Sequence, residues 1–290
     1  MRLNEECKSC LLHSQLKKAK SLGGSAAGLE LFEKKIREII ENAPDEYCSP
    51  ILMRDFDKCH REIFGFGIDY SKEKKLFNSL LSGMEEELYK KVILSPDPIK
   101  SGLKFAMAAN YIDFARLTVL DGKSVEYVLS VAENAEVDEK TLNSFKDGLK
   151  NSDALLYLLD NCGEIVLDKI LIRAILKLYP KIKVTAVVRG APIINDATEE
   201  DARDIGLDKI CRIIGNGSSV AGTYLKEVSE EVLTLLSESG VILSKGLGNL
   251  ETLYGEGYGI FYAFNCKCNH IAEQFALKLW TPAFIKEKAK

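Results

Sequence analysis

The first half of the chain repeats apolar residues at helical spacing. Leu29, Phe32, Ile36 and Ile39-Ile40 form one such series, and Leu76, Leu80, Met84 and Leu88 form another. This spacing predicts amphipathic helices with one face turned to a core. Ser95-Pro96-Asp97-Pro98 interrupts the pattern before a further helical run through Phe105, Ala109, Ile112 and Leu117. Strand-like alternation is scarce before residue 150, and then the rhythm changes. Leu155–Leu159 precedes a helix to about Tyr179, Val184–Val188 a helix from about Ala197, and Ile210–Ile214 a helix from about Thr223. Val241–Ser244 and Ile260–Phe264 complete the predicted strands.

Strands alternating with helices imply βαβ units and a parallel sheet. The expected fold is α/β, a mostly parallel sheet with helices on both faces in a Rossmann-like three-layer sandwich, plus an all-helical N-terminal part. A soft boundary near Asn151 divides helical residues 1–150 from α/β residues 151–290.

Composition narrows the function. At 290 residues, 46% hydrophobic and 28% charged, the chain has the makeup of a globular protein with a full core. Its 39 basic and 43 acidic residues leave a net charge of −4, and basic runs are as short as Lys72-Glu73-Lys74-Lys75. No nucleic acid is therefore expected as a partner. The N-terminus lacks a signal-peptide apolar region and no segment reads as a membrane span, so a cytoplasmic protein with no membrane partner is expected. Eight cysteines then read as reduced thiols, to be explained by packing, metal or redox chemistry.

The candidate chemistry lies at the strand ends. Leu155–Leu159 ends in Asp160-Asn161, turns at Gly163 and enters a helix. In open α/β sheets, ligands bind at the carboxyl ends of parallel strands. After the second strand comes Arg189-Gly190-Ala191-Pro192-Ile193-Ile194-Asn195-Asp196. Asp196 can cap the following helix, but adjacent parallel strands also bring it beside Asp160 and Asn161. Two carboxylates and an amide oxygen suit a hard divalent cation such as Mg²⁺ or Mn²⁺, and similar oxygen ligands accept Co²⁺ or Ni²⁺.

Lys245, at the end of the fourth strand and followed by Gly246 and Gly248, suits compensation of phosphate charge. Gly215–Thr223 supplies small residues and N–H groups as a possible anion cradle. It lacks the lysine of a Walker A loop, and Gly255-Glu256-Gly257-Tyr258-Gly259 lacks the spacing of a dinucleotide fingerprint. In the helical half, Asn110 and Asp113 stand one turn apart in apolar surroundings, where a polar pair must find partners or a ligand. Glu164 is the nearest further carboxylate, able to orient a water or simply to favour the helix dipole. Cys7-Lys8-Ser9-Cys10 has the spacing of half a tetrahedral metal site, which Cys266-Lys267-Cys268 or His13 could complete.

Four ordered motifs resemble those of the damage-control phosphatases. They are Asp160-Asn161-x-Gly163-Glu164, Arg189-Gly190-x-Pro192-x-x-Asn195-Asp196, Gly217-Ser218 with Gly222-Thr223, and Lys245-Gly246-x-Gly248-Asn249-x-Glu251. Ala109-Asn110-x-x-Asp113 extends the match into the helical part, although the family often has Gly-Asn there. Asp69-Tyr70 also lacks the proline of a common Asp-Pro-Tyr. The terminal cysteines resemble those of the family's cysteine-bearing, stand-alone microbial branch.

The resemblance implies metal-dependent hydrolysis of phosphate monoesters of small metabolites, such as sugar phosphates, nucleotides or phosphopantetheine-like compounds, in metabolite damage control. It implies that Asp160, Asn161 and Asp196 hold the metal and catalyse, and that Lys245, Asn110, Asp113, Glu164, Ser218, Asn249 and Glu251 bind substrate. Cys7, Cys10 and Cys268 stand as a possible second metal site. The alternatives are a carboxyl methyltransferase using S-adenosylmethionine, or a non-catalytic metabolite-binding protein. A haloacid-dehalogenase-type phosphatase would require a second aspartate where Cys162 stands.

Overall fold

The computed structural model describes residues 1–109 and 122–288. Asn110, Asp113 and most of the predicted helical run from Phe105 to Leu117 fall on or across residues outside this set. Eight helices lead the described chain: α1 (Glu5–Ser21), α2 (Ala26–Glu41), α3 (Ser49–Phe64), α4 (Ser71–Ser82), α5 (Glu85–Ile93), α6 (Pro98–Ala108), α7 (Gly122–Asn134) and α8 (Glu139–Asn151). Local chemistry sets several starts, since Asn4, Ser25, Asp97 and Asp138 each accept a hydrogen bond from a first-turn N–H. The single helix expected through Leu76–Leu88 is two, because the chain turns at Gly83 between α4 and α5.

The α/β part follows as β1 (Ala154–Leu158), α9 (Glu164–Leu178), β2 (Lys183–Val188), α10 (Glu199–Asp204), β3 (Arg212–Gly215), α11 (Glu230–Glu238), β4 (Val241–Lys245), α12 (Gly246–Leu253), β5 (Phe261–Asn265), α13 (Asn269–Phe275) and β6 (Pro282–Lys286). The described strands form one sheet in the order β3-β2-β1-β4-β5-β6. All neighbours are parallel except β5 and β6. Strand order reverses beside β1, which makes the carboxyl end of β1 and β4 the switch point where α/β folds open a crevice.

The expected mostly parallel α/β sandwich is thus the observed fold, with three local differences. The helix expected from Thr223 begins at Glu230, because residues 216–228 form turns, Gly222 N–H returning to Val220 O and Glu227 and Val228 N–H to Tyr224 O, while Thr223 N–H is tied to Thr252 Oγ1. The short helix α12 was concealed by its two glycines. The edge strand β6 was concealed by its leading proline and its shortness.

Packing does not break at residue 150. Phe77, Leu81, Leu103 and Ala106 from the leading helices share one core with Leu155, Tyr157, Leu171, Leu243 and Phe261. Helix α9 is buried without interruption from Glu164 to Ile172, lying between the sheet and α4–α6. On the other sheet face, Leu156, Leu158 and Ile242 pack with Val232, Leu250 and Ile271. Helices α1–α3 keep a separate core around Phe32, Ile36 and Phe56.

Candidate active site

Strand register assembles the site. Leu158 of β1 pairs with Val187 of β2 and with Ser244 of β4. Continuing each parallel strand brings Asp160 level with Arg189 on one side and Gly246 on the other. The loop after β2 then returns across the end of β1. Ala197 N–H donates to Asp160 O at 2.8 Å, Cys162 N–H to Asn195 O at 2.9 Å, and Arg189 N–H to Ala197 O at 2.9 Å. An antiparallel bridge joins Asn161 to Asp196. Asp160, Asn161 and Asp196, 36 positions apart at the extremes, thereby become neighbours.

Arg189 lies between the two aspartates. The residue is 2% exposed. Nε donates to Asp196 Oδ2 at 2.5 Å, Nη2 reaches Asp160 Oδ1 at 3.3 Å, and Nη1 donates to Asn249 Oδ1 at 3.1 Å. The Asn161 amide donates from Nδ2 to Asp160 Oδ2 and to Glu164 Oε1, each at 2.8 Å. Both its hydrogens are therefore directed at carboxylates, leaving Oδ1 as the amide atom that neither carboxylate engages.

Gly246 closes the far side. It has φ +77°, and a Cβ there would overlap the Asp160 carboxylate. Only glycine combines that backbone conformation with so close an approach. Gly248 and Gly222 likewise bring backbone against backbone. These glycines, read from sequence as room for a ligand, make room for the protein's own chain.

The expected anion cradle is also largely filled from within. N–H groups of Ser218, Val220, Gly222 and Thr223 donate to Asn216 Oδ1, Ser218 Oγ, Val220 O and Thr252 Oγ1. Ser218 is buried at the rim, its hydroxyl 3.2 Å from Glu227 Oε2. Asn249 serves the scaffold: Nδ2 donates to Leu159 O and Lys245 O, while Oδ1 accepts from Arg189 and Thr223. Glu251 lies elsewhere. It accepts hydrogen bonds from Ser49, its carboxyl raised by burial, and it lines a small cavity with Cys7, Cys268 and His270. Cys10 is exposed. Among the described residues no three His, Cys, Asp or Glu side chains converge as a metal-holding group.

Lys245 occupies a different place from the one its sequence position suggested. Its ammonium is fully buried on the α9 face of the sheet, 2.8 Å from Asp168 Oδ1 and 3.5 Å from Glu164 Oε2. Burial alone would lower its pKa, but the Asp168 and Glu164 carboxylates outweigh it and raise it. Sequence reading passed over Arg189 and Asp168 as site residues. The available signals were a cation at a buried strand end, and an aspartate four positions after Glu164 in an otherwise apolar helix face.

Charge is out of balance here. Among the described residues, Asp160, Glu164, Asp168 and Asp196 are buried beside Arg189 and Lys245, so full ionisation leaves two negative charges in excess. Burial, then Asp196 and Glu164, push the Asp160 pKa well above the carboxylate range. Burial raises Asp196 too, against the pull of Arg189. A hard oxygen donor set with a deficit of two positive charges fits a divalent cation.

The comparisons with known proteins agree with this architecture. Residues 3–279 match the profile of the damage-control phosphatase ARMT1-like domain. A protein named damage-control phosphatase from Archaeoglobus fulgidus is 30% identical, with 96% of this chain and 97% of that protein aligned. The damage-control phosphatase PH1575 of Pyrococcus horikoshii is 32% identical over 65% of each chain. An uncharacterized Methanocaldococcus jannaschii protein, MJ0202, is 28% identical over 99% of this chain and 96% of its own. The crystal structure of a DUF89-family protein from Pyrococcus horikoshii superposes with a TM-score of 0.81 at 24% identity, covering 99% of this chain and all of that one. This chain belongs to the damage-control phosphatase family.

Proposed function

We propose that the protein is a divalent-metal-dependent phosphatase that hydrolyses phosphate monoesters of small metabolites, with Asp160, Asn161 and Asp196 as metal ligands. The observation carrying this reading is the buried excess of two negative charges around a set of oxygen donors at the sheet's switch point. Family membership supports the phosphatase class. When bound, such an ion polarises a phosphoryl oxygen and lowers the pKa of coordinated water.

The protein's own residues supply the geometry. Arg189 holds the two aspartates at fixed separation and offsets part of their repulsion. The Asn161 amide is oriented by Asp160 and Glu164. Phosphoryl transfer depends mainly on such positioning and charge stabilisation. The organic part of the ester would enter a cleft of about 260 Å³, bounded by Pro192–Ile194 of the Asp196 loop, Lys18, Tyr70 and Lys74. Its lining mixes apolar residues such as Ile68 and Ile193 with charged and hydroxyl-bearing ones such as Lys75, Asp201 and Thr198, a mixture that suits sugar phosphates and other hydroxyl-bearing esters.

Phosphate release is measured over a panel of sugar phosphates, nucleotides and phosphopantetheine-like esters, with Mg²⁺, Mn²⁺, Co²⁺ or Ni²⁺ and with chelator. Turnover should require metal and fall by about 10²-fold or more in Asp160→Asn, which keeps the shape of the side chain. Absence of turnover with every metal, or full activity in the variant, contradicts the proposal. Methyl transfer from S-adenosylmethionine without metal would favour the methyltransferase instead.

A further inference from the structure

Beneath the candidate metal ligands runs a buried chain of polar groups that the proposed reaction does not itself use. The Tyr157 hydroxyl donates to Asp168 Oδ1 at 2.7 Å. Lys245 Nζ donates to the same oxygen at 2.8 Å. Its other carboxylate neighbour is Glu164 Oε2, at 3.5 Å. Glu164 Oε1 accepts from Asn161 Nδ2. Tyr157, Asp168, Glu164 and Lys245 are each 0% exposed. The sheet places them there by alternation, since Tyr157 and Leu243 face α9 and Lys245 lies two residues beyond Leu243.

We infer that Tyr157, Asp168 and Lys245 are positioning residues that hold Glu164 as the acceptor fixing the Asn161 amide, so that its Oδ1 is presented beside Asp160 and Asp196. This rests on the proposed metal-dependent reading and reassigns Lys245 from substrate phosphate to the interior. The physical argument concerns the orientation of an amide. An asparagine amide can turn end for end at little cost unless its neighbours distinguish N–H from C=O. Asp160 alone provides one acceptor, and it is itself a ligand. Glu164 provides the second, and a fully buried carboxylate is strongly destabilised when it loses the cation beside it. Lys245 is that cation, and one carboxylate at 3.5 Å would not hold a buried ammonium in position. Asp168 completes its pairing, and the Tyr157 hydroxyl fixes which Asp168 oxygen is used. Asp168 Oδ2 accepts no hydrogen bond among the described residues, so the whole restraint passes through Oδ1. Outer partners that orient metal ligands typically contribute about 10- to 100-fold to metal affinity.

The test uses Mn²⁺ alone, titrated into metal-free full-length protein by calorimetry, alongside melting temperature and steady-state kinetics. Variants are Tyr157→Phe, Asp168→Asn, Lys245→Met and the double Asp168→Asn/Lys245→Met. Lys245→Met leaves both Asp168 and Glu164 without their cation, whereas the double variant leaves only Glu164 so, and it carries the test if Lys245→Met does not fold. The expected result is a loss of Mn²⁺ affinity of about tenfold in Asp168→Asn, Lys245→Met and the double variant, and less in Tyr157→Phe. kcat should fall with KM unchanged.

A double variant that regains wild-type affinity would show a purely structural charge pair and overturn the inference. Lys245→Met with wild-type Mn²⁺ affinity and a raised KM would return Lys245 to the substrate phosphate, also overturning it. Wild-type protein that neither binds Mn²⁺ nor releases phosphate would refute the proposed function and remove this inference with it. Wild-type binding with unaltered affinity in every variant would refute the inference alone.

Discussion

Arg189→Met tests the electrostatics of the site most directly, because it keeps much of the side-chain volume and deletes the guanidinium. Arg189 is 2% exposed and its two carboxylate partners, Asp160 and Asp196, are 7% and 4% exposed. The substitution leaves both buried acids without the cation between them and leaves Asn249 Oδ1 with Thr223 as its remaining side-chain donor. Removing one partner of a buried ion pair costs about 3–5 kcal/mol. For a chain of this size, about 2–4 °C of melting temperature accompanies each kcal/mol, so a fall of roughly 6–20 °C is expected in chelator. Proton uptake by the two aspartates will keep the loss toward the lower end.

A divalent ion bound by the same aspartates replaces the missing charge. Excess Mn²⁺ should therefore raise the melting temperature of the variant by more than that of the wild type, since only the folded state binds it. Thermal unfolding at pH 7.5 with chelator and with a Mn²⁺ series measures both quantities. A variant melting within about 2 °C of wild type in chelator would mean that the guanidinium does not offset the buried repulsion. Equal Mn²⁺-induced shifts in the two proteins would mean that the aspartates are not where the metal binds.

Gly246→Ala should harm activity far more than stability. Its φ of +77° costs an alanine about 1–2 kcal/mol, while the new methyl group displaces the Asp160 carboxylate. Gly255→Ala is the control, with φ +98° and open space around the added carbon; if both variants lose phosphatase activity equally, the contact with Asp160 is not what matters. A second expectation concerns pH. Burial pushes Asp168 up to about 6, against the opposing pull of Lys245, and Asp160 and Asp196 are also raised. A raised carboxyl pKa means that the folded state binds more protons than the unfolded one, so these groups oppose folding increasingly from about pH 4 to above pH 6. Metal-free protein should therefore melt lower at pH 7.5 than at pH 5.5, and excess Mn²⁺ should narrow the gap. A melting temperature in chelator that rises over this interval would refute the assignment.

Much of this protein was legible in its sequence because the relevant signals are local. Leu155–Leu159, Val184–Val188 and Val241–Ser244 announce buried strands by continuous apolar runs, and the polar residues that end them mark the carboxyl edge of a parallel sheet. That Asp160, Asn161 and Asp196 lie side by side followed from that logic, as did the α/β class. The ordered motifs gave the family. What the sequence could not settle depends on direction in space. Lys245 and Asp160 both stand at strand ends, but pleat alternation sends the lysine beneath α9 to Asp168 and Glu164. Asn249 and Glu251 lie two positions apart on α12, so helical geometry gives them different neighbours: Arg189 and Thr223 for one, Ser49 for the other. The glycines of two adjacent motifs met each other rather than a ligand, because loop-to-loop packing is invisible to spacing along the chain. Sequence thus determined the fold class, most of the strands and helices, and which polar residues end the strands. Only the folded sheet, through its register and twofold alternation, decided which side chains meet at the strand ends and which lie beneath α9.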